Sequence, residues 1–341
     1  MVLQVSGSVQ SNNQLKEFSK SLITWHKNNG RHDLPWQINI NPYSVWISEV
    51  MLQQTQVKTV IPYFKQFIKK FKTLELLSKG KEKEILKLWE GLGYYRRARN
   101  LLASSKLLVQ EYNSKLPYEI QEIKKLPGVG DYTANALIGL VHDRPTIAID
   151  GNVKRVFARI LNKKESNIDY EKLIKLNKKK LFSSKRNSDL VEALMEFGAL
   201  ICKPKDPKCS ICNLNKTCKY FNSSNKINTT RIKMIKNKNY DVFCYLNKKK
   251  QIALTKKNNI GFLSEFNLPR IEETKSEVKN TNWQFLNNYK NSISNIKLNI
   301  NLYYKFSNKI PSNFNWYSIN KNKEFIPSFT KKIFKQISIL F

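Results

Sequence analysis

Residues Gln121-Glu122-Ile123-Lys124-Lys125-Leu126-Pro127-Gly128-Val129-Gly130-Asp131-Tyr132-Thr133-Ala134-Asn135-Ala136-Leu137-Ile138-Gly139-Leu140-Val141-His142 pivot on a central Leu-Pro-Gly-Val-Gly. Apolar residues recur at three- and four-residue steps on both sides of that centre, so the stretch reads as helix, tight turn, helix. Gly128 and Gly130 permit positive φ and the close approach of another backbone. The second helix starts directly after them, and its free N–H groups can point at a phosphate. Asp131 suits the first turn of a helix, although it sits close to where that phosphate would lie.

Outward from the hairpin, the same helical spacing recurs in 42–71, 84–110, 151–161 and 188–201, so residues 13–220 read as mostly helical. Pro42, Pro62, Pro117, Pro127 and Pro145 fall at or near the expected element ends. Residues 162–187 are lysine-rich, with room for a short helix or two. From 221 to 240 the chain turns polar and reads as a linker. Beyond it the texture changes. Asp241–Tyr245, Gln251–Leu254, Ile296–Phe306 and Trp316–Ile319 read as strands, and Phe329–Leu340 as a closing helix. The fold class expected is therefore mainly α over 1–220, followed by a smaller α+β domain over 241–341.

The 60 Lys and Arg against 26 Asp and Glu leave a net charge of +34. A surface this basic attracts polyanions, although a lysine- and asparagine-rich drift in composition would give the same count. The five cysteines are too few and too clustered for a disulfide scaffold. The start carries no signal peptide, and no apolar run reaches the ~18 residues of a membrane span. These features predict a cytoplasmic protein with no membrane association. Four cysteines follow the spacing Cys202-x6-Cys209-x2-Cys212-x5-Cys218. Four thiolates within one short loop can wrap zinc or a cubane iron–sulfur cluster, and spacing leaves both open. Lys203, Lys205, Lys208, Lys216 and Lys219 interleave them and could meet phosphate. Cys244 stands apart as a core thiol.

Two carboxylates stand out. Glu49 is the sole acid in Val45-Trp46-Ile47-Ser48-Glu49-Val50-Met51-Leu52-Gln53-Gln54-Thr55-Gln56-Val57. Such apolar surroundings favour the protonated form, as a general acid requires. Asp150 ends Pro145-Thr146-Ile147-Ala148-Ile149-Asp150, just ahead of a helix at Gly151. It can cap that helix and also stabilise a cation beside it. Two carboxylates in unlike environments are what cleavage of a glycosidic bond uses.

Together Trp46–Val57, Leu88–Leu101, Leu126–Ala134, Ile149–Val156 and the cysteine loop resemble, in order, the signatures of the MutY-type adenine DNA glycosylases of the endonuclease III superfamily. The resemblance spans 34–218. It implies a two-lobed helical glycosylase domain over 1–220, containing a helix-hairpin-helix at 121–142 that grips the DNA backbone. It also implies one [4Fe–4S] cluster on Cys202, Cys209, Cys212 and Cys218. In that family Glu49 would protonate adenine N7 and later help activate water. Asp150 would stabilise or capture the oxocarbenium ion, with Tyr132 and Asn152 in support. The lyase relatives carry lysine where Tyr132 stands. Tyrosine forms no Schiff base, so a monofunctional hydrolase is expected rather than a bifunctional pyrimidine glycosylase. Retention of both acids argues against a non-catalytic DNA-binding relative.

Gln54, Thr55, Leu92 and Tyr94 match positions that wedge the duplex or contact 8-oxoguanine opposite the adenine, with Gly128 and Gly130 as backbone anchors. Arg96, Arg97 and Arg99 would touch phosphate. Residues 241–341 resemble the family's Nudix-like lesion-recognition domain more weakly. Gly261–Pro269 is similar to its Gly-x-Trp-Glu-Phe-Pro segment. Tyr304–Asn308 resembles its Phe-Ser-His loop, with Ser307 facing the lesion and Asn308 replacing histidine. The partner implied is double-stranded DNA bearing A:8-oxoguanine or A:G mispairs, met by a monomer associated with a bacterial-type nucleoid.

Overall fold

The computed structural model describes residues 9–38, 40–228, 236–258, 260, 263, 266–274, 282–293, 296–320 and 325–341. Helices dominate as far as residue 222. They are α1 (Val9–Asn29), α2 (Pro35–Ile38), α3 (Pro42–Leu52), α4 (Val57–Lys70), α5 (Leu74–Ser78), α6 (Glu82–Leu88) and α7 (Arg96–Glu111). After these come α8 (Ile120–Ile123), α9 (Asp131–Leu140), α10 (Gly151–Leu161), α11 (Tyr170–Leu181), α12 (Ser188–Leu200) and α13 (Lys219–Asn222). Local chemistry sets several starts. Asn41 accepts from the Ser44 N–H at 2.8 Å and Ser44 returns the contact, a capping box with Pro42 at the first turn of α3. Asp150 caps α10 and Asp169 caps α11 in the same way.

Two of the expected helical runs are broken. The 42–71 run divides at Gln53–Gln56, where Gln54 takes φ +55°. The 84–110 run divides between Leu88 and Arg96, where Gly91 and Gly93 take φ +103° and +77°. Pro62 lies inside α4 rather than at an element end, so that helix forgoes one backbone hydrogen bond. The lysine-rich 162–187 stretch holds a 3-10 turn at Glu165–Asn167 and then α11.

Contacts divide the chain into two units, one formed by 1–82 with 94–231 and the other by 83–93 with 232–341. In the first, α1, α10, α11 and α12 share a core built on Phe18, Leu22, Phe157, Leu181, Leu194 and Phe197. Elsewhere in this unit α3 packs against α4, α7 and α9, and α9 against α12. The second unit contains a mixed sheet of β1 (Lys236–Asn247), β2 (Gln251–Leu254), β3 (Arg270–Glu273), β4 (Gln284–Ile293), β5 (Ile296–Phe306) and β6 (Asn315–Ser318). The sheet order is β4-β5-β1-β2-β6, with β3 also paired to β1. β1 and β5 run parallel, whereas β4 and β5 form an antiparallel hairpin. α14 (Ser328–Ile337) lies on one face, where Gln336 accepts from Asn287 at 2.8 Å and Lys332 donates to Asn291 at 2.6 Å. Among the described residues no helix is long and apolar enough to cross a membrane.

Candidate functional site

Glu49, Tyr132, Asp150 and Asn152 line one cleft of the first unit, about 580 Å³ in volume. That is within the size range of small-molecule sites, a few hundred to about 1,000 Å³. Glu49 comes from α3 and is 8% exposed. Burial pushes its carboxyl up to about 7, and the Asp150 and Glu192 carboxylates add to the shift. Asp150 stands at the N-cap of α10. Its Oδ1 accepts from the Val153 N–H at 2.7 Å and its Oδ2 from Asn152 Nδ2 at 2.8 Å. One carboxyl is thus held apolar and protonatable, and the other is fixed by donors. Burial, followed by the Glu49 and Asp150 charges, drives the Tyr132 phenol far above its ordinary range, so it stays a neutral hydroxyl.

The hairpin forms as its sequence implies. Gly128 takes φ +81°, and a Cβ there would collide with the Asn100 side chain. Gly130 is different. It caps α9 in an extended conformation, with open space where a Cβ would stand, so positive φ is not what selects it. Asp131 is ion-paired to Lys124 at 2.5 Å, which offsets its charge beside the α9 N-terminus.

The Gln53–Gln56 turn is fixed from below by Arg97, only 7% exposed. Its Nη1 donates to the carbonyls of Val50, Met51 and Gln53 at 3.0, 2.7 and 2.7 Å, and its Nη2 to Thr55 Oγ1 at 3.2 Å. Arg97 is therefore not a phosphate contact: the unpaired carbonyls at the end of α3 draw the cation inward. Arg99 is ion-paired with Glu82 at 2.8 Å. Gln54 is exposed and Tyr94 is 41% exposed, both in left-handed backbone. Thr55 is half-buried. Leu92 is 6% exposed and offers DNA little surface. Gln53 Nε2 donates to Thr133 Oγ1 at 3.0 Å, joining this turn to α9.

Cys202, Cys209, Cys212 and Cys218 are free thiols lining one cavity with Val156, Ile160, Phe197, Ile201 and Leu214. Three of them pack against the α1–α10–α12 core. Among the described residues no three His, Cys, Asp or Glu side chains are placed to hold a single metal ion. Two α10 arginines secure the loop. Arg155 Nε donates to the Cys202 carbonyl at 2.8 Å and its Nη2 to Asn152 Oδ1 at 2.8 Å. Arg159 donates to the Lys203 and Pro204 carbonyls at 2.7 and 3.1 Å. Lys205, Lys208, Lys216 and Lys219 remain exposed.

In the second unit Ser307 follows β5. Its hydroxyl donates to the Lys309 carbonyl at 2.6 Å and accepts from the Lys309 N–H at 3.1 Å, closing a local turn. Asn308 is exposed. Much of Gly261–Pro269 falls outside the described residues.

Sequence reasoning missed Glu192, Arg31, Arg155 and Arg159, and gave Arg97 to phosphate rather than to the α3 carbonyls. Glu192 lines the same cleft as Glu49 and Asp150, and burial raises its carboxyl despite Arg186. Arg31 lines the same cleft and grips Glu196 through Nε and Nη2 at 2.7 and 2.6 Å. The available signal for Glu192 was an acid set among apolar residues in the helix Ser188–Leu200, which also carries Asp189 and Glu196.

Residues 47–181 match the family described as HhH-GPD superfamily base excision DNA repair protein. The adenine DNA glycosylase of Buchnera aphidicola subsp. Baizongia pistaciae is 38% identical over 89% of this chain and 91% of its own length. The human adenine DNA glycosylase is 36% identical over 60% of this chain and 40% of its own. Among solved structures, a thermostable thymine-DNA glycosylase superposes with a TM-score of 0.57 at 30% identity, covering 62% of this chain and 98% of that one. A trapped endonuclease III–DNA covalent intermediate gives 0.51 at 25% identity, covering 61% and 95%.

Proposed function

Because the chain belongs to the adenine DNA glycosylases of the HhH-GPD base excision repair superfamily, it is a hydrolase of N-glycosyl bonds that acts on DNA, and we propose that its substrate is adenine paired with 8-oxoguanine or guanine. The observation that carries the chemical reading is one cleft holding a protonatable Glu49 and a donor-fixed Asp150. Adenine must leave the helix to reach it. Glu49 gives its proton to N7 as the C1′–N9 bond breaks and the bonding pair passes into the purine. The Asp150 carboxylate stabilises the oxocarbenium ion and Asn152 holds that carboxylate in place. Water then adds to C1′ and releases a proton to Glu49. Tyr132 hydrogen-bonds without forming a covalent link, so the product is an intact strand with an abasic site. Glu192 and Arg31, on the same walls, supply an acceptor and a donor for the purine edge.

Gln54 and Tyr94 are the exposed residues suited to filling the vacated stack. Thr55 and Leu92 support the turns beneath them, and Gly128 and Gly130 bring the hairpin backbone to phosphate. We assign opposite-base reading to residues 241–341 as a Nudix-like domain, with Ser307 as its tested contact.

Four free thiols lining one largely apolar cavity could hold a [4Fe–4S] cluster, which takes one cysteine per iron. When bound, the cluster supplies structural crosslinking of the loop and no step in bond cleavage.

The test uses purified protein with duplexes carrying A:8-oxoguanine, A:G or an oxidised pyrimidine, assayed with and without alkali. Breakage of the A strand only after alkali supports the reading. Nicking without alkali, or full-rate release of adenine by Glu49→Gln, would overturn it. Ser307→Ala is expected to narrow the A:8-oxoguanine over A:G preference.

A further inference from the structure

The face of the second unit's sheet opposite α14 has an unusual composition. Strand register places Phe243 beside Tyr303, Tyr245 beside Lys305, and Phe285 beside Tyr303, so these side chains share one side. Trp283 joins them, its ring centroid 5.1 Å from Phe243 and 4.8 Å from Tyr245. Phe243 and Tyr303 stack at 5.2 Å, and Phe285 meets Tyr303 edge-on at 5.6 Å. The cluster is not a closed core. Phe285 is 56% exposed, Tyr245, Trp283 and Tyr303 are half-buried, and Phe243, 5% exposed, is the base on which these rings rest. The aliphatic residues Val242, Leu298, Ile300 and Leu302, all fully buried, belong to the opposite face, which α14 covers.

Cations flank the rings. Lys305 Nζ lies 5.9 Å from the Trp283 centroid, and the Arg270 guanidinium carbon 5.6 Å from Phe243. Farther along the same face, register places Lys297 and Lys290 among Asn237, Asn239, Asn288 and Asn299. Among the described residues the acids on this face are Glu272, ion-paired to Arg270 at 2.6 Å, and the buried Asp241, which accepts from Asn301 and Thr274.

Aromatic faces, amides and lysines on one open sheet match a single-stranded nucleic acid. Unpaired bases stack on rings whatever their identity, amides meet base edges, and lysines meet phosphates. A helix from a protein partner would instead ask for a continuous aliphatic strip, and this face has none. We propose that the Tyr245–Trp283–Phe285–Tyr303 face, resting on Phe243, is a stacking platform for unpaired DNA bases, separate from the catalytic cleft and from the reading of a lesion in duplex DNA.

The test is fluorescence anisotropy of full-length protein with a labelled oligothymidylate and with an oligomer of equal length lacking bases. The wild type is expected to favour the base-bearing strand by about tenfold or more, since stacking contributes a factor of that order per base. Phe285→Ala, at an exposed position, is expected to weaken oligothymidylate binding about tenfold and to leave binding of the abasic oligomer unchanged. Phe285→Trp should restore binding. Photocrosslinking from 5-iodouracil should map to peptides containing Trp283 or Tyr303. Equal affinity for the two oligomers would overturn the proposal, as would crosslinks confined to residues 9–228. Unchanged oligothymidylate binding by Phe285→Ala would do the same and would be the result expected of a protein-docking face.

Discussion

Glu49 sits 8% exposed among apolar neighbours, and burial holds its carboxyl at about 7 against an ordinary 4.5. That displacement links activity to stability. A proton donor is present below about pH 7 and lost above it, so kcat/KM should decline on the basic side with an apparent value near 7. Glu49→Gln should remove that limb and lower adenine release at least a hundredfold. The stability effect has the opposite sign. A raised carboxyl value means that the folded state binds the proton more tightly, so this group's contribution is complete below pH 4.5 and is lost as pH rises towards 7. A shift of this size corresponds to about 3 kcal/mol at pH 8, to order of magnitude. Glu49→Gln should therefore melt above the wild type at pH 8 and close to it at pH 4. A variant that melts lower at both values would show that Glu49 is an ordinary structural glutamate. The acids and the tyrosine were legible in the sequence because each lies in a short local motif. The role of Arg97 was not, nor were Arg155 and Glu192 altogether, because what fixes the arginines is carbonyls supplied by other segments and what sets Glu192 is burial.

At the level of elements, α10 connects two sites. Its N-cap is Asp150, and one turn on Arg155 reaches both Asn152 and the Cys202 carbonyl. Arg155→Met removes the donors and keeps most of the packing volume. It should lower iron content on purification and lower kcat more than it raises KM; unchanged iron and unchanged kcat would show that the linkage is idle. In the hairpin, the contrast between the two glycines is a prediction in itself. Gly128→Ala meets both a left-handed backbone and Asn100, and should cost about 1–3 kcal/mol while weakening binding to any duplex. Gly130→Ala meets neither obstacle and should do little to stability. Equal losses in thermal unfolding would refute that distinction. The helices were readable wherever an apolar period ran uninterrupted, as in α10, and β2 and β5 were readable from β-branched and aromatic runs. β4 was not. Gln284–Ile293 is an edge strand with three Asn in ten residues, whose partner and register, rather than its own propensity, make it a strand.

Across the whole molecule, the +34 net charge has two readings, a response to DNA or a drift in composition, and salt separates them. Lysines that touch phosphate release counterions on binding, so log affinity falls with log salt by about 0.9 per contact. Lysines that are merely solvated contribute to the field but little to that slope. The cysteine loop offers a clean place to ask. Lys205, Lys216 and Lys219 are exposed on a segment pinned by Arg155 and Arg159, so substitution there alters charge and leaves the core untouched. If the loop lies on the backbone of bound DNA, Lys205→Gln or Lys216→Gln should reduce the slope by about 1. Each should also weaken matched and mispaired duplexes by the same factor, since phosphate contacts carry no sequence information. The ratio of A:8-oxoguanine to matched-duplex affinity would then stay constant while both affinities fall. A slope and affinities that move in neither variant would place the lysines off the DNA. A change in the ratio would instead make the loop part of lesion reading.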